Sequence, residues 1–325
     1  MMKQIRHEGC FQTKKRTCVL LALILVMPCL FGLSANKTNT SVSIDERGRL
    51  ADELHMKGLM LYDETKYKEA IDEWLREIEI APERVKPYNN IGLTYRKLGD
   101  LDSSIKFHEK AIKVDPKFGH SYYSLGLVYY DLKDYKRAKE LFLKAIEFGY
   151  YDADVYYSLG QAYKQLTDYE QAIKAFKKVI KLYYNFPGAH YQLGDTYRLV
   201  GNFDMAKMEL KREISINTSW ELQCEIALLE IDTETDPTNY EAFFVLGMLY
   251  KEASGKEFTE KAIDAFRRVI ELNPSCADAH FQLGQLYEIK GDLYMAEQAY
   301  MEEIQINPDH QYARQAIEHI RSSGM

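Results

Sequence analysis

The pattern of apolar and small residues along this chain repeats at a spacing of 34 residues. Each copy centres on a glycine and has a small residue further on; all copies but the first, which has Lys57, place an apolar residue before the glycine and an aromatic residue three positions after it. We number each copy, or unit, so that this glycine is position 8. The first five glycines keep the spacing without interruption, which predicts an array of one structural unit. The seven glycines are Gly58, Gly92, Gly126, Gly160, Gly194, Gly247 and Gly284.

The apolar positions of each unit fall into two helical stripes. Positions 4, 7, 8 and 11 lie on one face of a first helix, and positions 20, 24 and 27 lie on one face of a second helix. The glycine and the small residue at position 20 let the two helices approach closely. Because each unit can bury its apolar face only against its neighbours, the pattern predicts an all-α solenoid of helix-turn-helix units.

This frame resembles the tetratricopeptide repeat, which combines W-x2-L-G-x2-Y, A-x3-F and a closing proline. The resemblance covers residues 51–308. It implies a right-handed α-solenoid whose first helices line a concave groove for an extended peptide or a partner helix. Four units end in the expected proline, at Pro82, Pro116, Pro274 and Pro308.

Departures from the frame predict how the chain is divided. Five units occupy residues 51–218, and two more occupy residues 240–308. Residues 219–239 contain one helix without a glycine-centred partner, introduced by a capping-box pattern from Thr218 to Glu221. A single surplus helix interrupts the alternation, so we expect an irregular helix and a break or bend there. Residues 309–325 predict a capping helix with a polar outer face, and residues 36–50 predict a tether.

Residues 1–35 have the composition of an export signal. Lys14, Lys15 and Arg16 precede an uncharged apolar run at 18–35 that ends in small residues. This order is typical of a cleaved secretory signal, but the run is also long enough for a retained membrane anchor. Lipidation at Cys29 is a further alternative, disfavoured by the preceding Pro28. The basic flank predicts that the repeats are extracytoplasmic, in the periplasm or elsewhere in the cell envelope.

Positions 5, 9 and 12 of the first helices form a second stripe, which we call the groove face. Their spacing places them on one side of the helix, apart from the packing stripe. Position 5 is aromatic in five units, and position 12 is basic in four. Two copies of the pentapeptide Tyr-Tyr-Ser-Leu-Gly also predict that Ser124 and Ser158 point toward the groove. The predicted partner-binding residues are Tyr123, Tyr157, Tyr191, Phe244, Phe281, Asn90, Arg96, Lys164, Arg198 and Lys251.

The charge of the chain limits the class of partner. The formal net charge is -7, and the basic residues of the N-terminal segment make the repeats more acidic still. This balance argues against nucleic-acid binding. A basic groove face on an acidic body predicts a protein or peptide partner with acidic and aromatic or aliphatic residues. The carboxylate clamp of chaperone-binding tetratricopeptide domains is matched only at Asn90, so that specificity is not expected.

The sequence lacks the residue patterns that catalysis or metal binding requires. The eight histidines are scattered, and neither His-Glu-x-x-His nor Gly-x-Ser-x-Gly occurs. Signal, tether, repeats and cap account for the whole sequence given, so we expect no enzymatic activity, no cofactor and no metal. Cys224 and Cys276 follow the N-terminal segment without a metal-type spacing, and their pairing is left open.

Together these features predict an interaction scaffold that binds a peptide or partner helix in its groove, in a complex of the cell envelope. Two alternatives fit the same sequence. One is a membrane-tethered adaptor that docks a larger complex through residues 219–239. The other is a regulatory subunit that acts on a separate enzyme.

Overall fold

The computed structural model describes residues 44–276 and 278–323, and within them it is all-helical. A single turn of 3-10 helix, Thr218–Trp220, accompanies the α-helices. The predicted signal or anchor at 1–35 lies outside the described residues, and none of the described helices is long and apolar enough to span a membrane. The helices are α1 (Ile44–Asp63), α2 (Tyr67–Ile80), α3 (Val85–Leu98), α4 (Leu101–Val114), α5 (Gly119–Asp131), α6 (Tyr135–Glu147), α7 (Ala153–Gln165), α8 (Tyr169–Leu182), α9 (Ala189–Leu199), α10 (Phe203–Ile216), α11 (Glu221–Thr235), α12 (Tyr240–Ala253), α13 (Lys256–Leu272), α14 (Ala279–Lys290), α15 (Leu293–Ile306) and α16 (Gln311–Ser323).

The helices pack in successive pairs, as the 34-residue pattern predicts. Each first helix packs most extensively on the second helix of its own unit, and that second helix packs on the next first helix. First helices of adjoining units also touch, as α3 does with α5 and α5 with α7. The fold is therefore a solenoid in which each unit is covered by its neighbours, and the all-α expectation is confirmed.

The glycine at position 8 is needed because a large side chain from position 24 lies against it. A Cβ atom added at Gly126, Gly160 or Gly284 would lie less than 3.0 Å from the ring of Phe142, Phe176 or Tyr300, respectively. These rings are fully buried. The glycine therefore creates the space that the largest core side chain of the same unit fills.

His108 occupies this ring position in the second unit, against Gly92. It is fully buried, and neither ring nitrogen has a hydrogen-bond partner among the described residues. Desolvation lowers the pKa of His108 to about 3, with smaller contributions from His120 and Arg96. The imidazole is therefore neutral at physiological pH and packs as an aromatic ring with two unsatisfied polar atoms.

Most second helices begin with the same cap. An Asp or Asn side chain at position 16 accepts the backbone N–H of the residue three positions later, which satisfies one of the unpaired donors of the first turn. Such caps stabilise a helix by about 1 kcal/mol each. The capping residues are Asp100, Asp134, Asp168, Asn202 and Asp292.

The first helix begins earlier than the predicted unit boundary. Residues 44–50, assigned by sequence to the tether, continue α1 without interruption. The guanidinium of Arg47 donates to the backbone carbonyl of Ile80 at the end of α2, and Arg84 donates to the carbonyl of Gly48 at 3.4 Å. These cross-links fasten the additional turns of α1 to the first unit, so this part of the predicted tether is ordered helix.

The surplus helix α11 joins the two groups of units. Cys224, Ala227 and Ile231 are buried in the core that contains α8 to α10. Ile226 belongs instead to the core of α12 to α16, where Leu222 and Leu229 pack beside it. Because α11 is apolar on two sides, it packs on α10 and on α12 at once. The break or bend predicted for 219–239 stays a prediction.

The start of α11 differs from the predicted capping box. Asn217, rather than Thr218, provides the side-chain cap, accepting the backbone N–H of Ser219 at 3.1 Å. Asn217 caps the short 3-10 turn that precedes α11, so the sequence pattern was displaced by one residue from the group that performs the capping.

At the C-terminal end of the array, α16 buries Ala313, Ile317 and Ile320 and exposes polar residues.

Candidate functional site

The aromatic residues predicted at position 5 are less accessible than the sequence suggested. Tyr157 is 5% exposed and belongs to a core cluster. Its ring packs edge-on against Phe176 and tilted against Phe186, with 5.8 and 5.1 Å between ring centroids. The prediction that Tyr157 lines the groove is therefore corrected: its ring is part of the core. Tyr123, Tyr191, Phe244 and Phe281 are half-buried.

The loops between units cover part of the groove face with aromatic rings. Tyr150 lies 5.1 Å from Tyr123, Trp220 lies 5.0 Å from Tyr191, and His310 lies 4.5 Å from Phe281, measured between ring centroids. Burial raises the pKa of Tyr123 to about 12. Sequence reasoning missed these covering residues, although Phe186, Trp220 and His310 share position 34 of their units. That recurrence was the available signal.

The serines of the repeated pentapeptide do not form an open polar row. Ser124 is fully buried, and Ser158 is nearly so. Ser158 lies close enough to the Tyr123 hydroxyl of the preceding unit to act on its pKa. The prediction that these serines point into an open groove is therefore corrected: they lie in the packing between α5 and its neighbours. Asn90 is half-buried on α3, and its backbone carbonyl accepts from Thr94 Oγ1 at 2.7 Å.

Three of the four basic residues at position 12 are matched by carboxylates of the protein. Arg96 forms a two-point ion pair with Asp131, at 2.6 and 3.1 Å. Lys164 pairs with Asp195 and donates to Gln192 Oε1 at 3.0 Å. Arg198 contacts Asp195, Glu230 and Glu234. These residues link one unit to the next, so the positive charge that the sequence predicted at four position-12 sites is largely neutralised by the protein itself.

Lys251 differs from the other three because amides take the place of carboxylates. Its ammonium donates to Gln282 Oε1 at 2.6 Å and to Gln285 Oε1. Burial lowers the pKa of Lys251, and among the described residues no carboxylate counteracts that effect. Gln282 and Gln285 hold positions 6 and 9 of the following first helix, where Gln192 and Asp195 stand relative to Lys164.

The face beside Lys251 exposes apolar side chains. Val245 and Met248 on α12 are 47% and 38% exposed, and the ring of Phe244 packs on Phe266 with 5.5 Å between centroids. Phe244, Met248 and Lys251 hold positions 5, 9 and 12 and therefore share one side of α12. At the other end of the array, Leu59, Leu93 and Leu127 at position 9 are half-buried.

One group of described residues has the composition of a metal site, but its hydrogen bonds explain it otherwise. Asp278, Glu303 and His310 lie close together. His310 Nδ1 accepts the backbone N–H of Ala313 at 3.1 Å, and Nε2 faces Asp278 Oδ1 at 3.2 Å. A neutral imidazole has one nitrogen that accepts a hydrogen bond, which here is Nδ1 capping the start of α16, so Nε2 carries the proton that faces Asp278.

The two cysteines left open by the sequence are thiols rather than a disulfide. Cys224 is buried in the core around α11, and burial raises its pKa to about 12. Cys276 lies half-buried between α13 and α14. A buried thiol of such high pKa is unreactive, so Cys224 functions as a small apolar core residue.

Comparison with known families identifies the class to which these helical pairs belong. Family models described as tetratricopeptide repeat match residues 85–118, residues 119–148, 153–186 and 187–219, and residues 248–310. Together these matches cover more than half of the chain. The chain therefore belongs to the tetratricopeptide repeat family.

Curated relatives match a short part of the chain. The chain is 39% identical over 70 residues to Hsp70-Hsp90 organizing protein 1 of Glycine max, which involves 22% of this chain and 12% of that protein. It is 38% identical over 69 residues to Hsp70-Hsp90 organizing protein 3 of Arabidopsis thaliana, again 12% of that protein. The matched part thus spans about an eighth of these relatives.

Solved structures with similar helical arrays include YrrB, described as a TPR protein with an unusual peptide-binding site. It is 22% identical, with a TM-score of 0.38, over 75% of this chain and 97% of that one. MamA is 23% identical, with a TM-score of 0.47, over 54% and 95%. A tetratricopeptide repeat protein from Parabacteroides merdae is 14% identical, with a TM-score of 0.48, over 84% and 100%.

Proposed function

We propose that this protein is a non-enzymatic scaffold that binds a protein or peptide segment along its groove face. Tetratricopeptide repeat proteins bind protein or peptide partners. The observation that carries the proposal here is the patch on α12, where Val245 and Met248 remain exposed beside half-buried Phe244. A row of first helices presenting such a patch suits an extended segment with aliphatic or aromatic side chains.

The names of the chaperone-organizing relatives describe those proteins. This chain departs from the carboxylate clamp of chaperone-binding tetratricopeptide domains, which it matches only at Asn90. A clamp for a terminal carboxylate needs converging side chains with free charge. Along the groove face, Arg96, Lys164 and Arg198 already bond to carboxylates of the protein. An internal segment held mainly by apolar contacts therefore fits the groove face better than a clamped C-terminus.

A displayed library of random linear peptides tests this proposal with the full-length chain in mild detergent. Peptides recovered by the wild type are expected to bind at least about tenfold more weakly to a variant carrying Phe244→Ala, Met248→Ser and Phe281→Ala, because central apolar contacts carry most of the binding energy. Affinity is measured by fluorescence anisotropy, and circular dichroism with unfolding midpoints checks the fold.

A matched control replaces exposed apolar residues on second helices, with Leu143→Ala, Leu182→Ala and Met208→Ala. This variant removes a similar apolar area from outside the groove face, so its affinity for the same peptides is expected to equal that of the wild type. The proposal fails if the control loses affinity while the groove-face variant retains it.

We further propose that the protein acts in the cell envelope, outside the cytoplasm. The support is sequence alone: the basic residues before the uncharged run at 18–35. Cell fractionation and sequencing of the mature N-terminus are expected to find the protein in the envelope fraction, beginning near Ala35 or Asn36 if the signal is cleaved. Recovery from the cytosol with residues 1–35 intact would contradict this placement.

A further inference from the structure

Lys164 and Lys251 provide a natural comparison within one chain. Both lysines hold position 12 of a first helix, and both reach positions 6 and 9 of the next first helix. Lys164 meets Gln192 and Asp195 there, whereas Lys251 meets Gln282 and Gln285. The exchange of Asp195 for Gln285 removes the one carboxylate of the arrangement, so the Lys251 ammonium is hydrogen-bonded but forms no ion pair within the described part of the chain.

The surroundings of Lys251 make this charge costly until an anion arrives. The residue is half-buried, and burial lowers its pKa. An ammonium that has lost part of its hydration gains more from an incoming carboxylate than one at the open surface. The two amide oxygens hold the ammonium in place, so little side-chain entropy is lost when an anion binds.

Apolar side chains on the same helix as Lys251 restrict the ligand further. Met248 lies one helical turn before Lys251 on the same side of α12, and Phe244 lies one turn before Met248. Val245 adds exposed apolar area on the same helix. A peptide that lies along this side of α12 and reaches Lys251 would therefore also contact this apolar patch.

We propose that Lys251, held by Gln282 and Gln285, binds an Asp or Glu side chain of a peptide whose neighbouring aliphatic or aromatic residue covers Phe244 and Met248. The inference rests on the proposed function, because it assigns the acidic preference of the groove face to one point. The anion contact then lies between the last two units. Arg96, Lys164 and Arg198 are not expected to bind the anion, because they already pair with carboxylates of the protein.

The test uses a peptide selected on the full-length protein, in its acidic form and with each Asp or Glu changed to Asn or Gln. The wild type is expected to prefer the acidic form by about tenfold, the range of one partly buried ion pair. Lys251→Gln is expected to abolish this preference. Gln285→Asp is expected to abolish the preference for the acidic peptide as well, although Lys251 is retained. The new carboxylate would pair with Lys251 as Asp195 pairs with Lys164.

The matched control variants alter the other lysine. Lys164→Gln is expected to keep the tenfold preference, because its charge is already matched by Asp195. Asp195→Gln converts the arrangement around Lys164 to that around Lys251. For peptides long enough to reach both lysines, this variant is expected to prefer the acidic form more strongly than the wild type does. Retention of the preference in Gln285→Asp, or its loss in Lys164→Gln, would overturn the assignment.

The two proposals fail in different ways. If both peptide forms bind the wild type equally, and the groove-face variant still loses affinity, the Lys251 assignment is wrong and groove binding stands. If peptides bind independently of Phe244, Met248 and Phe281, groove binding itself is wrong. Measuring both peptide forms on all variants separates these results.

Discussion

Replacing His108 by Phe is expected to raise the free energy of unfolding by about 1–3 kcal/mol at neutral pH. His108 fills the position that Phe142 and Phe176 fill in the next two units, and it lies against a glycine in the same way. Its two ring nitrogens are buried without partners among the described residues. Phenylalanine would occupy the same space without the desolvation cost. Urea denaturation, with hydrogen exchange at the amides of α3 to α5, measures the gain.

The advantage of His108→Phe is expected to grow as the pH falls. The unfolded chain binds a proton at His108 near the ordinary pKa of 6.5, whereas the folded protein does not until about 3. Because the folded pKa is the lower one, the wild type loses stability between these values as the pH decreases. At pH 5 the loss through this residue is roughly 2 kcal/mol. The phenylalanine variant has no titratable group at this position. The difference in free energy of unfolding between the two proteins, measured against pH, therefore gives the contribution of His108 protonation.

The reverse substitution is the matched control. Phe142→His places an imidazole against Gly126 in the third unit, where it is expected to destabilise the protein and to add a second loss of stability on acidification. If His108→Phe leaves both the stability at neutral pH and its dependence on pH unchanged, the ring nitrogens of His108 are satisfied in solution and the interpretation is wrong.

The repeat itself could be predicted from sequence because its spacing and packing have a single cause. Each glycine at position 8 faces a large side chain at position 24, a ring in six units and Leu210 in the fifth, and the repeat preserves that pairing from one unit to the next. The helical pairs therefore followed from periodicity alone. Residues 44–50 could not be predicted, because their helix depends on Arg47 and Arg84 bonding to carbonyls of distant residues.

The groove face was harder to predict because a helical stripe gives direction but not accessibility. Tyr157 has the spacing of a groove residue, yet Phe186 from the following loop covers it. The charges at position 12 were misjudged for a similar reason. Their partners lie about one unit later in sequence, as Asp131 does for Arg96, so only the packing of units shows which charges are matched.

Replacing Glu213 by Ala is expected to lower the free energy of unfolding by about 2–4 kcal/mol. Glu213 is 1% exposed, and its carboxylate accepts backbone N–H groups at the start of α9, from Gly188 at 2.8 Å and from His190 at 3.1 Å. Gly188 has a positive φ of 78°, which turns the chain into α9 beside this carboxylate. Removing the carboxylate would leave buried donors at a helix N-terminus without a partner, where the helix dipole also favours a negative charge.

Glu213→Gln and Glu225→Ala separate this role from a general effect of charge. The glutamine keeps one acceptor oxygen and is expected to lose about half as much stability as the alanine. Glu225 is exposed on α11, so its replacement is expected to change stability by less than about 0.5 kcal/mol. Denaturation by urea ranks the free energies of unfolding of the three variants and the wild type. Equal stability of Glu213→Ala and the wild type would contradict the capping role.

The same variant tests whether the units act locally. Because each unit contacts only its neighbours, weakening the start of α9 is expected to open that region first, as faster hydrogen exchange in α9 and α10. Asp195 lies on α9, so this opening also releases the carboxylate that holds Lys164. Lys251 and its two glutamines lie on α12 and α14, beyond α11. Below the unfolding transition, acidic peptides are therefore expected to bind Glu213→Ala with wild-type affinity; a loss would show that α11 couples the two groups of units.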